Sequence, residues 1–319
     1  MIVDLDQQPP PSSWGVTVDD QAADDLATAW ADRPMPLPAF DYPGTPVERH
    51  EDWWYTYVIL SVSVLACLWP PEGEEMWATE FGGIWLDDAP GIFATFTRHV
   101  GPHGLDLAFF ADLDDDAGPA LFTGRGHLQL LPERIDTLRR AATTLIERWD
   151  GNATNLVAEA ESGGVIDAVA VTDLLTETMP GYRDRPASEV GVLPFDKLSH
   201  LAAAIMTAGL GWNFTNYEDF WVYPDYMLPR VLRYYGVLRY DNNLAAAVDN
   251  RRLVAADSEQ EHAIRWATVY AGARLRAALA SRGNRVSGPG LDYHLWSQAV
   301  LRPKAVDFGE HHRTLTMRY

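Results

Sequence analysis

Two aspartates stand where a carboxylate could do chemistry. Asp225 lies a few residues before Pro229, and proline favours the first turn of a helix. A helix N-terminus carries partial positive charge, so a carboxylate there is held in its ionised form. That form suits stabilising a cation or attacking as a nucleophile better than giving up a proton. An ordinary helix cap has the same residue type and place. Asp292 precedes Trp296 by one helical turn, which puts both on one face. Such a pair can grip a flat ring, with the carboxylate at its edge and the indole on its face; a cap followed by a core residue has the same spacing.

Of the 25 Lys and Arg residues, only Lys197 and Lys304 are lysines. A chain that relies on arginine for plain positive charge keeps a lysine either by drift or where a compact, titratable amine is needed. Lys197 is the candidate, and His200 follows it by one turn. The C-terminal segment gathers His312, Arg313, Thr314, Thr316 and Arg318, and Arg230 adds a further donor. Concentrated donors of this kind suit a phosphate, although a surface strand could carry the same residues. No CxxC or HExxH occurs, so no metal site is expected, and no cofactor is called for.

A net charge of −20 and a pI near 4.7 disfavour a long polyanionic partner, because a duplex-binding face needs a surplus of Lys and Arg. A small ligand at a local basic site fits this balance better. The sole cysteine, Cys67, cannot form an internal disulfide, and the acidic opening residues 1–6 lack a signal-peptide pattern. Both point to the cytoplasm. The long uncharged run Trp53–Trp69 is read as a buried core helix rather than a membrane span, since it is bounded by Pro70-Pro71 and contains Thr56, Ser61 and Ser63.

The elements that must position these residues are mostly helices. Apolar periodicity and end signals predict helices near Asp20–Ala31, from Pro132 to a stop at Gly151, over Val169–Thr178, Lys197–Leu210 and Pro229–Tyr235, and over Asp292–Leu301. Ser258-Glu-Gln-Glu261 is a capping box that opens a long helix to about Ala280. Strand signals are confined to an antiparallel pair within Glu74–Trp85 and a short tail strand over Arg313–Tyr319. The expectation is a mainly α protein with a few short strands: a Pro- and Asp-rich arm over residues 1–46 packed on a domain of residues 47–319.

Several segments, in order from Trp54 to Tyr319, resemble the queuosine salvage family, the queuosine 5′-phosphate N-glycosidases. They are Leu130-Leu-Pro-Glu-Arg134, Met179-Pro-Gly-Tyr-Arg-Asp184, Pro194-Phe-Asp-Lys197, Pro224-Asp-Tyr-Met-Leu-Pro-Arg-Val-Leu232, Gly236-Val-Leu-Arg-Tyr240, Leu291-Asp-Tyr-His-Leu-Trp296 and the tail His312-Arg-Thr-Leu-Thr-Met-Arg-Tyr319. The chain departs from the family pattern at Leu65, where the family has Asn, and at Met227, Arg230, Leu198 and His200. These departures touch polar candidates for base reading more than the candidates for chemistry.

The resemblance implies a fold related to the helix-hairpin-helix DNA glycosylases, acting on a free nucleotide: hydrolysis of queuosine 5′-monophosphate, or a close 7-deazaguanine nucleotide, to queuine and ribose 5-phosphate. It favours Asp225 as the group that meets the sugar cation, with Lys197 as its polarising partner or a phosphate contact. Asp292 and Trp296 are then assigned to the base, Tyr226 and Tyr319 to the sugar pocket, and Arg230, His200, His312, Arg313 and Thr314 to the remaining substrate contacts. A 7-deazapurine has carbon at position 7, so protonation at N7 is closed and stabilisation of the sugar cation must carry more of the rate. A relative acting on another deazapurine or purine nucleoside, and a nucleotide-binding protein without catalysis, are the alternatives.

Overall fold

The structure, a computed structural model, describes residues 1–49, 51–209, 213–300 and 306–319. The protein is mainly α: thirteen α-helices are described, and no described strand exceeds four residues. The chain divides into two compact units. One comprises Met1–Pro38, Asp184–Lys197 and Glu218–Leu315; the other comprises Ala39–Arg183, Leu198–Tyr217 and Thr316–Tyr319.

The first unit is built around the helix Glu259–Ser281. Ser258 caps it, its hydroxyl accepting from the Glu261 N–H at 3.2 Å. Ala263, Ile264, Ala267, Ala271, Leu275 and Leu279 are fully buried along it, so it serves as the core onto which the other elements pack. The helix Asp20–Trp30, capped by Asp19, lies against it. The strand Val16–Val18 pairs antiparallel with Leu238–Tyr240. Residues 1–38 are thus integral to this unit, with Leu5, Trp14 and Trp30 buried. The helices Met227–Tyr234 and Gly288–Val300 pack on each other and on the long helix.

In the second unit, Leu131–Trp149 is the longest helix, closed by Asp150 in the left-handed conformation. The strands Ala78–Phe81 and Ile84–Asp87 form the expected antiparallel pair around Gly82 and Gly83. The uncharged run is buried as expected but is not one helix through Trp69. The helix Glu51–Ser63 stops at Ser63, because the backbone beyond it is taken by other partners. The Arg134 guanidinium donates to the carbonyls of Val64, Ala66 and Cys67, and the Cys67 N–H donates to the Tyr319 carbonyl at 2.8 Å. No described helix is long and apolar enough to cross a membrane.

The tail also differs from the expected strand. Only Arg313 forms a β-bridge, with Leu253, and residues 314–319 are irregular. The helix Lys197–Met206 ends before the expected stop, and Leu210 lies outside the described residues, as do Leu301 and Lys304.

Candidate active site

Asp225 sits two residues before the start of the helix Met227–Tyr234, and Pro229 falls in its first turn as predicted. Its Oδ1 accepts the backbone N–H groups of Met227 at 2.8 Å and Leu228 at 2.9 Å. The cap is therefore real, and it uses one carboxylate oxygen. The Asp225 N–H donates to the Tyr223 carbonyl at 2.8 Å, a tight turn that fixes the carboxylate before the helix starts. Burial pushes the Asp225 carboxyl above the ordinary carboxylate range, opposed first by Lys197, then by the two capping N–H groups, and last by Arg265. The expectation of a simply favoured carboxylate thus meets a stronger desolvation cost.

Asp292 lies in the second turn of the helix Gly288–Val300, so it is not that helix's cap. Its Oδ1 accepts the Tyr223 N–H at 2.7 Å. One three-residue segment, Tyr223–Asp225, therefore carries Asp225 and docks on Asp292. Gly288 makes this approach possible: a Cβ there would fall 1.5 Å from the Phe220 carbonyl oxygen. Burial, reinforced by the nearby Asp225, pushes the Asp292 carboxyl well above the ordinary range. Of this buried pair, Asp292 is the better proton holder. Two carboxyls whose neighbourhoods separate their protonation states can take different chemical roles.

Lys197, the first residue of its helix, is buried, and its charge acts on both Asp225 and Asp292. It follows a tightly tied segment. The Asp184 carbonyl accepts from Phe195 N–H at 3.1 Å and Asp196 N–H at 3.2 Å. Arg185 donates to Asp196 at 2.6 Å. Asp196 itself is held at φ 42°, in the left-handed region that a non-glycine residue seldom adopts.

The other predicted residues divide into groups. Tyr226 is buried with its ring 5.0 Å from that of His311. Trp296 is half-buried, packed against the core and stacked on Tyr293 at 6.1 Å. Arg230 donates to the Gly309 carbonyl at 2.6 Å. In the tail, the Thr314 hydroxyl donates to the Val254 carbonyl at 3.0 Å, and Arg313 lies 3.9 Å from Glu310. Burial holds the His312 imidazole down to about 3, so it can offer a hydrogen bond but no charge. His200 and Tyr319, both buried, belong to the second unit.

Sequence reasoning missed Arg265 and gave Asp184 no role. The fully buried Arg265 guanidinium pairs with both Asp184 oxygens, one bond at 3.0 Å, and its Nε donates to the Pro224 carbonyl at 3.0 Å. It also reaches Glu261 at 3.4 Å. The available signals were the i,i+4 spacing of Glu261 and Arg265 and the place of Asp184 at the end of a recognised motif. Among the described residues, one trio with metal-ligand chemistry brings its donor atoms within 4.8 Å of one another: Asp257, Glu261 and His262. Arg265 already serves Glu261 as counter-cation there.

Comparison with known proteins identifies the family of the chain. The family model described as queuosine salvage protein matches residues 48–319. A queuosine 5′-phosphate N-glycosylase/hydrolase from Sphaerobacter thermophilus is 29% identical over 317 residues, covering 95% of this chain and 93% of the relative. Proteins of the same name from Dictyostelium discoideum and Bos taurus are 26% and 27% identical, over 59% and 54% of this chain and 58% and 53% of their own lengths. The motifs that surround Asp225, Asp292 and Lys197 lie within the matched region, and the chain belongs to the queuosine salvage protein family.

Proposed function

We propose that this protein hydrolyses the N-glycosidic bond of queuosine 5′-monophosphate or a close 7-deazaguanine nucleotide. Water adds across the bond: its hydroxyl goes to the anomeric carbon, its proton to the departing base, and ribose 5-phosphate and queuine are released. The reading is carried by the buried Asp225–Asp292 pair beside Lys197, within a family whose named relatives have this activity.

Cleavage builds positive charge at the sugar, and Asp225 is assigned to meet it. Its Oδ1 is occupied by the cap, so the second oxygen faces the task. In a buried site a developing cation has a large effect, since little water screens it. The approach of that cation also favours the ionised Asp225 against the upward push of burial. Lys197 opposes the same push from the protein side. Asp292, carrying the proton of the pair, is assigned to the base as a neutral carboxyl that can donate to a ring carbonyl. Trp296 and Tyr226 are assigned to the base and sugar faces. The 5′-phosphate is assigned to Arg313 and Arg230, with His312 as a neutral donor.

The released base is then free for reuse in tRNA, with the reaction placed in the cytoplasm and no duplex nucleic acid involved. The test is incubation of the purified protein with queuosine 5′-monophosphate and mass spectrometry of the products. Queuine and ribose 5-phosphate are expected in equal amounts. An intact nucleotide after prolonged incubation with excess enzyme would overturn the proposal and leave nucleotide binding without catalysis. Turnover of the free nucleoside at the same rate would remove the phosphate assignments alone.

A further inference from the structure

Arg265 touches both of the segments that carry the proposed chemistry. Its Nε donates to the Pro224 carbonyl at 3.0 Å, one residue before Asp225. Its terminal nitrogens grip the Asp184 carboxylate, and its guanidinium lies 4.0 Å from the Phe195 ring centroid, two residues before Lys197. Asp184 in turn holds that second segment by its main chain: its carbonyl accepts from Phe195 and Asp196, and its N–H donates to the Asp196 side chain at 3.4 Å. The strained Asp196 that aims Lys197 is thereby locked in place.

We infer that Arg265, anchored by Asp184, is a positioning residue that sets the placement of Asp225 relative to Lys197. This rests on the assignment of Asp225 and Lys197 made above. A buried ion pair is a weak source of stability, because desolvation offsets most of its attraction. A planar guanidinium nevertheless fixes direction: it holds Asp184 with two nitrogens and Pro224 with the third, all in one plane. Displacing a catalytic group by about 1 Å can cost on the order of 100-fold in rate, so a rigid link between the two segments matters to the reaction. The positive charge of Arg265 also opposes the effect of burial on Asp225.

Arg265→Lys tests the geometry. Lysine keeps the charge and can stay with Asp184, but a single nitrogen cannot hold Asp184 and Pro224 in the same arrangement. The expected result with queuosine 5′-monophosphate is a kcat lowered at least about tenfold and a KM within about threefold, normalised to folded protein. Asp184→Asn, which keeps side-chain volume and the main-chain bonds, is expected to lower kcat in the same way and carries the test if Arg265→Lys does not fold. Arg265→Met removes the charge as well, and the acid limb of its kcat–pH profile is expected to move to higher pH, whereas Arg265→Lys leaves that limb in place. A merely structural role would lower melting temperature without changing kcat or the acid limb, and that result overturns the inference. Normal turnover in Asp225→Asn would sink the underlying assignment instead. An inactive Asp225→Asn beside a fully active Arg265→Lys would refute the positioning role alone.

Discussion

Replacing Asp225 by asparagine separates its two roles. The cap depends on Oδ1, which accepts two N–H groups at 2.8 and 2.9 Å. Asparagine retains a carbonyl oxygen in that place, so the structural loss should be well below the roughly 1 kcal/mol typical of deleting a cap. Burial already disfavours the Asp225 charge, so the neutral amide recovers part of that desolvation, although Lys197 loses its counter-charge. The two effects oppose, and the melting temperature should shift by only a few degrees. The rate should respond very differently. Loss of one preorganised charge at the developing cation costs about 3 kcal/mol or more, on the order of 100-fold. Quenched time courses with queuosine 5′-monophosphate give kcat, and calorimetry on the same samples gives the stability. A kcat within about threefold of wild type, with an intact fold, would refute the catalytic assignment and leave Asp225 as a cap. Asp225→Ala provides the control: it should be as slow as Asp225→Asn and less stable by about 1 kcal/mol.

Three further outcomes follow from the same geometry. Asp292 is held well above the ordinary carboxyl range in the folded chain, so its cost to stability is absent below the unfolded value and grows as pH rises through the shifted one. Asp292→Asn should therefore be more stable than wild type at neutral pH by denaturant titration, with the advantage shrinking in acid, while substrate affinity falls; a variant no more stable at pH 8 than wild type contradicts this. His312, depressed by burial to about 3, stays neutral when folded and supports stability that declines as pH falls below the ordinary value of 6.5. The stability margin of wild type over His312→Gln should shrink by about 2 kcal/mol between pH 7 and pH 5, and a constant margin would refute it. A methyl at Gly288 would meet the Phe220 carbonyl at 1.5 Å, so Gly288→Ala should destabilise by about 1–3 kcal/mol and lower kcat by shifting Tyr223–Asp225; unchanged melting and kcat would show that the contact relaxes freely.

Much of the helical architecture and several candidate site residues were legible in the amino-acid order because their determinants are local. Ser258 bonds within its own first turn, Pro229 falls at a helix start, and the apolar stripe of Leu131–Trp149 faces one way. Residues three or four apart share a helix face whatever packs against them, so the Asp292–Trp296 spacing was readable too. Other features depended on partners far along the chain. The uncharged run stops being helical after Ser63 because Arg134, some 70 residues away, collects its carbonyls. The tail alternates like a strand yet finds only one bridge. The upward shifts of Asp225 and Asp292 come from desolvation, which no spacing rule reports, since burial is a property of the packed molecule. Arg265 likewise gains its meaning only when residues 184, 195 and 224 converge on it. Composition and periodicity are short-range information, whereas the charge state and aim of a buried side chain depend on what tertiary folding brings around it.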